Sequence, residues 1–251
     1  MSDAQASSYG EQHAPVYDRI YRRQHTPDAA VAALAAAAGA DGAVLEMGVG
    51  TGRLAIPLAA LGISVDGLEG SPAMLEQMRR RPGGDRVGAF QADLANFELP
   101  RRDYAVAVCA VSTLFMLPTA QDQQRCLVSA ARHLGPGGRL MIEAFQVDPS
   151  RFDATGHRTE ERPTDDGSRH TVVSTHDALD RSIRIRHTLT DAAGHDERYE
   201  VTLHYLSTAQ LDEMAVKAGL MLMERWHDWG GGPATARSTD PISISQPVDR
   251  R

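Results

Sequence analysis

Ala43-Val44-Leu45-Glu46-Met47-Gly48-Val49-Gly50-Thr51-Gly52-Arg53-Leu54 is the stretch that decides the fold. It opens as a short apolar segment of strand type. An acidic residue and three glycines at every second position follow, and then a helical pattern begins. A strand feeding a glycine-rich turn and a helix brings bare backbone against a ligand at a helix N-terminus. A Cβ there would block the approach or forbid a positive φ. Charge narrows the ligand. A dinucleotide turn reads G-x-G-x-x-G and receives a pyrophosphate. Here the third glycine comes one residue early, and Glu46 stands two residues before the first. A carboxylate at the strand's end repels a pyrophosphate and suits a ligand that carries a positive group. A tight strand–helix turn with no ligand is the plain alternative.

S-adenosylmethionine (SAM) has an ammonium, a sulfonium and no phosphate. At this loop the chain resembles the class I SAM-dependent methyltransferases, whose first motif is E/D-x-G-x-G-x-G. Four further segments carry the resemblance in the family's order. Ile63 to Leu68 reads as a strand ending in Glu69, before Ser71-Pro72-Ala73-Met74-Leu75. Val87-Gly88-Ala89-Phe90-Gln91-Ala92-Asp93-Leu94 looks like the adenine-binding motif. Tyr104 to Ala110 is an apolar strand. Leu134-Gly135-Pro136-Gly137-Gly138-Arg139-Leu140 looks like the turn before the fifth strand. The resemblance covers roughly residues 43 to 145. It implies a Rossmann-like α/β fold: a mostly parallel seven-stranded sheet with helices on both faces. It also implies which residues hold SAM. Glu46, Gly48, Gly50, Gly52 and Arg53 come from the first motif. Glu69 is the ribose-binding acid, beside Gly70, Ser71 and Met74. Asp93 and Leu94 meet the adenine. Cys109 ends the fourth strand, and an N-terminal tyrosine, here Tyr17, covers the methionine part.

Composition sets outer bounds. The chain has 251 residues, 42% hydrophobic and 24% charged, enough for one large α/β core. No apolar run approaches the roughly 20 residues that span a bilayer. Met1 to Gly10 lacks the basic and apolar regions of a secretory signal. Two cysteines cannot form a disulfide framework, which points to a reducing, cytoplasmic setting. A net charge of -7 disfavours nucleic acid or an anionic membrane as partner. Lys217 is the single lysine among 26 basic residues, a bias that suggests a GC-rich coding genome.

Along the chain, residues 1–8 read as a disordered tail and residues 1–26 as an N-terminal lid segment bearing Tyr9, Tyr17 and Tyr21. The methyltransferase domain then spans 27–251. Pro27 to Ala38 is an alanine-rich helix ending at Gly39. Strands and helices alternate to about Phe145, the signature of a parallel sheet. Val147 to Ser168 is polar and reads as a loop. Ile183, Ile185, His187 and Leu189 alternate with polar residues, as do Val201, Leu203 and Tyr205, around an Ala192-Ala193-Gly194 turn. We therefore expect an antiparallel β insertion over 147–206, after the fifth strand. Such a layer either roofs the ligand crevice at the strands' carboxyl ends as an acceptor cap, or is a surface hairpin or dimer contact. Ser207 caps a helix, Thr208 to Lys217, and Leu220 to Trp226 and Ile242 to Ile244 supply two last strands.

Methyl transfer gains most from aligning acceptor, methyl and sulfur and from excluding water. A hydroxyl acceptor benefits from a base within reach, and an amine must arrive unprotonated. The candidates are Glu143 at the fifth strand's end, Tyr17, His204 on the insertion, and His13. Glu143 is equally readable as a hydrogen-bonded supporting group. His204 shares the parity of Thr202 and reads as outward-facing. Leu114-Phe115-Met116 reads as pocket wall or core, and Cys109 as a buried small hydrophobe. Trp226 to Pro233 reads as a mobile aromatic loop or as a last strand and turn. No Cys/His cluster has zinc spacing, so no metal is expected. The Asp/Asn-Pro-Pro-aromatic motif of the enzymes that methylate amino groups of DNA bases is missing after the fourth strand. The reading is transfer of a methyl group to an oxygen or nitrogen of a small organic molecule. The arginine bias and variable lid resemble enzymes of secondary metabolism. An NAD-dependent oxidoreductase and a non-catalytic SAM-binding scaffold remain as alternatives. The first predicts NADH binding, the second SAM binding without turnover.

Overall fold

Strand β1 (Ala43–Met47) lies at the centre of a parallel sheet and is buried along its whole length. The computed structural model describes Ala14, Tyr17, residues 28–164 and residues 166–248. The expected lid residues Tyr9, His13 and Tyr21 therefore lie outside the described residues, as does the tail. β2 (Ser64–Glu69), β3 (Gly88–Gln91), β4 (Tyr104–Cys109) and β5 (Leu134–Glu143) pair in parallel in the order β3-β2-β1-β4-β5. Four strands, β6 (His157–Arg162), β7 (Arg169–Asp177), β8 (Ser182–Thr190) and β9 (Asp196–His204), form a separate antiparallel sheet. The chain then returns to the first sheet with β10 (Leu220–Trp226) and β11 (Ile242–Pro247). β11 sits between β5 and β10, antiparallel to both. The first sheet has seven strands, six of one sense, and the expected fold class is what the chain adopts.

Alternation along the strands divides the core. Ala43, Leu45 and Met47 point to the face covered by α4 (Ala120–His133) and α5 (Thr208–Lys217). Val44, Val106 and Val108 point to the opposite face, under α1 (Asp28–Ala38), α2 (Ala55–Ala60) and α3 (Pro72–Arg80). Strands buried on both faces read as unbroken apolar runs, which is why the sequence shows them so plainly. Local signals set the helix ends. Ser71 Oγ accepts from Met74 N–H with Pro72 in the first turn, and Ser207 and Gln210 close a reciprocal capping box.

One expectation needs correction. The polar stretch 147–168 is not simply a loop, since it contains β6 and a one-turn 3-10 helix, Pro149–Arg151. The apolar alternation that marks β8 and β9 is absent from β6. Its inward positions are Arg158, Glu160 and Arg162, which pair with one another as ions. A strand whose half-buried rungs are charged is invisible to a hydrophobic-periodicity test.

The antiparallel sheet is fastened to the main domain by Gln123 on α4, a buried side chain that donates to the His204 carbonyl at 2.7 Å. Gln123→Leu leaves that carbonyl unpaired. We predict a loss of about 1–3 kcal/mol of stability by urea denaturation, with faster amide exchange in β9.

Candidate active site

The glycine loop closes over the end of β2. The Gly48 and Val49 N–H groups both donate to the Leu68 carbonyl, at 2.7 and 3.0 Å, and Gly50 N–H donates to Glu69 Oε2 at 3.1 Å. Gly48 has φ +78°, and a Cβ there would lie 2.3 Å from Thr113 Cγ2. Gly50 has φ +54° and faces open space, so its backbone is bare on the ligand side. The Glu69 carboxylate also accepts from Ser71 N–H at 3.0 Å through its other oxygen. Burial raises the Glu69 carboxyl above its ordinary range, against the opposing pull of the Ser71, Gly50 and Gly70 amides.

Glu46 sits in the row of β1 that carries Val44, and it is only 5% exposed. Its Oε2 is the buried side-chain oxygen that finds no hydrogen-bond partner among the described residues. Burial pushes the carboxyl up to about 8, although Arg53 and the Ala55 amide draw it down. An orphaned buried carboxyl oxygen implies a partner from outside the chain. Here that partner must carry a positive charge or donate a hydrogen bond.

Past β4 the backbone turns sharply. Val111 and Ser112 have φ of 50° and 57°. Val111 N–H donates to Glu143 Oε2 at 2.7 Å, and the Trp229 indole donates to the same carboxylate. Burial raises the Glu143 carboxyl, and the Asp240 charge adds to the rise. Asp240 is held close because the flanking Pro241 and Thr239 carbonyls accept from Ala144 and Gln146 N–H.

Above this floor lies a cavity of about 460 Å³. Val111, Ser112, Thr113, Met116, Glu143 and Phe145 line it from the main domain. Arg162, Ile185, His187, Val201 and Leu203 line it from the inner face of the antiparallel sheet, and Tyr17 and Asp240 complete the wall. The insertion therefore roofs the crevice. On that roof His187 is buried and stacked on His170, with His170 Nε2 and His187 Nδ1 3.0 Å apart. Burial and the nearby Arg162 charge lower the His170 pKa.

The structure brings Tyr17 and Glu143 together at one cavity. His204 does not line it, because Val201 and Leu203 take the inward positions of β9 and His204 points to the other face. Cys109 is fully buried, and desolvation pushes its thiol up to about 12, so it packs as an apolar group. Met74 is likewise buried, at 2% exposure. Asp93 caps its own turn, accepting from Ala95 N–H at 2.9 Å, with Leu94 against the core beside it. Leu114 and Phe115 are core and Met116 is wall. Sequence reasoning missed Asp240, Arg162 and the role of His187, and it singled out the segment of Trp229 without its contact to Glu143. The alternating run through His187 was the one available signal.

Two carboxyls leave no room for a pyrophosphate. They suit a nucleoside whose ribose hydroxyls meet Glu69 and whose amino-acid tail brings an ammonium to Glu46. Fold and site thus define the class: a Rossmann-like transferase using SAM. Comparison with known proteins agrees. Residues 44–138 match the family model described as a methyltransferase domain. The chain is similar to the CcbJ methyltransferase of Streptomyces caelestis, at 33% identity and a TM-score of 0.85 over 97% of this chain and 99% of that one. It is 26% identical to the cypemycin N-terminal methyltransferase of a Streptomyces species, over 97% of this chain and 98% of the other. CalS10 of Micromonospora echinaspora, an amino pentose methyltransferase solved with SAM bound, superposes with a TM-score of 0.72 at 25% identity, covering 93% of this chain and 97% of its own. The chain belongs to the class I SAM-dependent methyltransferases.

Glu46 ties cofactor binding to stability. Its folded-state carboxyl is raised from 4.5 to about 8, so the folded protein holds a proton that the unfolded chain has lost. Stability therefore falls as pH rises through that window. Glu46→Gln removes the penalty. We predict a melting temperature unchanged near pH 4.5 and higher by several degrees above pH 8 in thermal melts without cofactor. The same substitution should weaken SAM binding by about 1–3 kcal/mol.

Proposed function

We propose that this enzyme methylates a nitrogen of a small organic molecule held between the two sheets. The observation that carries this reading is the cavity itself, which runs from the strained end of β4 to the antiparallel roof and has Glu143 and Asp240 on its wall. The two carboxyls on the floor side, opposite Arg162 on the roof, favour a basic acceptor, and two of the similar proteins are named for an N terminus and an amino pentose. The net charge of -7 agrees with a small-molecule acceptor in place of nucleic acid. Oxygen acceptors fit less well, because the Glu143 carboxylate is already engaged by two donors and His204 faces away.

When bound, SAM supplies a methyl group on a sulfonium, a good leaving group. The chain's own work is placement. Glu46 and Glu69 would hold the two ends of the cofactor, and Asp93 would receive the adenine amino group. Asp240 would draw the acceptor in as an ammonium. The acceptor would give its ammonium proton to solvent water, its neutral nitrogen would then be placed in line for attack, and the product would leave as the methylated ammonium, its remaining protons still on nitrogen. Tyr17, Met116 and Phe145 would exclude water from the reacting groups. No metal takes part in this scheme.

Calorimetric titration with SAM and its demethylated product S-adenosylhomocysteine (SAH), with NADH as control, tests the cofactor. Incubation with SAM and a panel of primary and secondary amines, read by a methyl mass gain, tests the reaction. We expect binding of the SAM pair, silence with NADH, and methylated amine. SAM binding with no amine methylated would overturn the nitrogen reading. For Asp240→Asn we predict a KM for the amine raised about tenfold with SAM affinity retained.

A further inference from the structure

The turn that follows β4 is the most strained backbone near the cavity. Val111 and Ser112 are consecutive non-glycine residues at positive φ, a region where a β-branched side chain such as valine is an outlier. Such a conformation persists only where its surroundings enforce it. The enforcing groups come from the end of β5. Glu143 grips the turn twice: its carboxylate accepts from Val111 N–H at 2.7 Å, and its main-chain carbonyl accepts from Ser112 N–H at 3.0 Å. Ser112 Oγ in turn accepts from Phe145 N–H at 3.0 Å. Thr113 closes the turn, its hydroxyl donating to the Ala110 carbonyl at 2.8 Å.

The turn bears directly on the cofactor loop. The Thr113 methyl occupies the space that a Gly48 Cβ would need, 2.3 Å from that ideal position. A change of φ at Val111 would displace Thr113 from that space, and the glycine loop would lose the wall it packs against.

We propose that Glu143 is a positioning residue. It holds the Val111–Ser112 turn in its left-handed conformation, and through Thr113 it keeps the glycine loop shaped for the cofactor. This rests on the reading of that loop as the SAM site. It differs from the role of general base, which would make the carboxyl's proton affinity essential. Positioning needs only an acceptor oxygen at this place, and the glutamine amide supplies one for Val111 N–H. Glycine at position 111 should remove the need for the clamp altogether, since glycine adopts positive φ without strain.

The test measures SAH affinity by calorimetry and thermal stability in four variants: Glu143→Leu, Glu143→Gln, Val111→Gly, and Glu143→Leu with Val111→Gly. We expect Glu143→Leu to weaken SAH binding by about tenfold and Glu143→Gln to stay within about threefold of wild type. Val111→Gly should recover most of the lost affinity in the Glu143→Leu background. In the wild-type background its effect should be smaller than in the Glu143→Leu background. Wild-type affinity in Glu143→Leu would overturn the proposal, as would equal effects of Val111→Gly in both backgrounds. Should Glu143→Leu alone fail to fold, the double variant is expected to fold and bind SAH, and its failure would count against the clamp. A wild-type protein silent to SAH would refute the cofactor reading instead. The melting temperatures of the same four variants would still decide whether Glu143 holds the turn.

Discussion

A carboxyl buried at the end of the central strand, with one oxygen unpaired, is the constraint on which the rest of this molecule depends. Glu46 destabilises the protein without ligand at neutral and alkaline pH, because burial opposes the ionisation that its carboxyl undergoes freely in the unfolded chain. Nothing in the α/β core requires it, since Val44 shows that an apolar residue fills the same row of β1. A cation or hydrogen-bond donor delivered from outside would give the acid the partner it lacks. Around it the chain supplies what such a cation's carrier needs: a loop whose glycines bare their backbone, and a second carboxylate held by Gly50 and Ser71 amides. Stability is given up at the site and recovered in a core buried on both faces of the sheet.

The second sheet answers a different need. An α/β domain exposes its ligand crevice at the carboxyl ends of the strands, and methyl transfer works best away from water. The roof covers that crevice without continuing the main sheet. It is joined to the domain by Gln123 and by the return of the chain into β10 and β11. Its inner face is unusual for a covering layer, with an Arg–Glu–Arg ion triplet on β6 and a stacked histidine pair across β7 and β8. Buried polar groups arranged in this way are costly unless paired, and here each has a partner.

Much of this was legible in the amino-acid sequence, for physical reasons. Strands such as Tyr104–Cys109 are buried on both faces and read as apolar runs, and Ser71, Pro72 and Ser207 mark helix starts by the hydrogen bonds they make. The glycine loop and the carboxylate at the end of β2 could be singled out because each belongs to a local strand–turn–helix unit. The acceptor cavity was not, because its walls come from distant parts of the chain. Asp240 reaches Glu143 only through the antiparallel return of β11. Arg162 lies on a strand whose inward residues are charged, and Trp229 lies in a glycine-rich turn. The Glu143 interaction with Val111 was hidden for another reason: no composition signal marks a valine that folding will force to positive φ.

Proton counting on cofactor binding tests the central claim most directly. At pH 7 a carboxyl titrating near 8 is mostly protonated, and an ammonium placed against it must drive the proton off. Calorimetry with SAH in buffers of differing ionisation heat should show release of close to one proton per site at pH 7. That release should vanish in Glu46→Gln. An unchanged proton count in that variant, with wild-type affinity, would contradict the account, because Glu46 would then not be the group that meets the cofactor's charge.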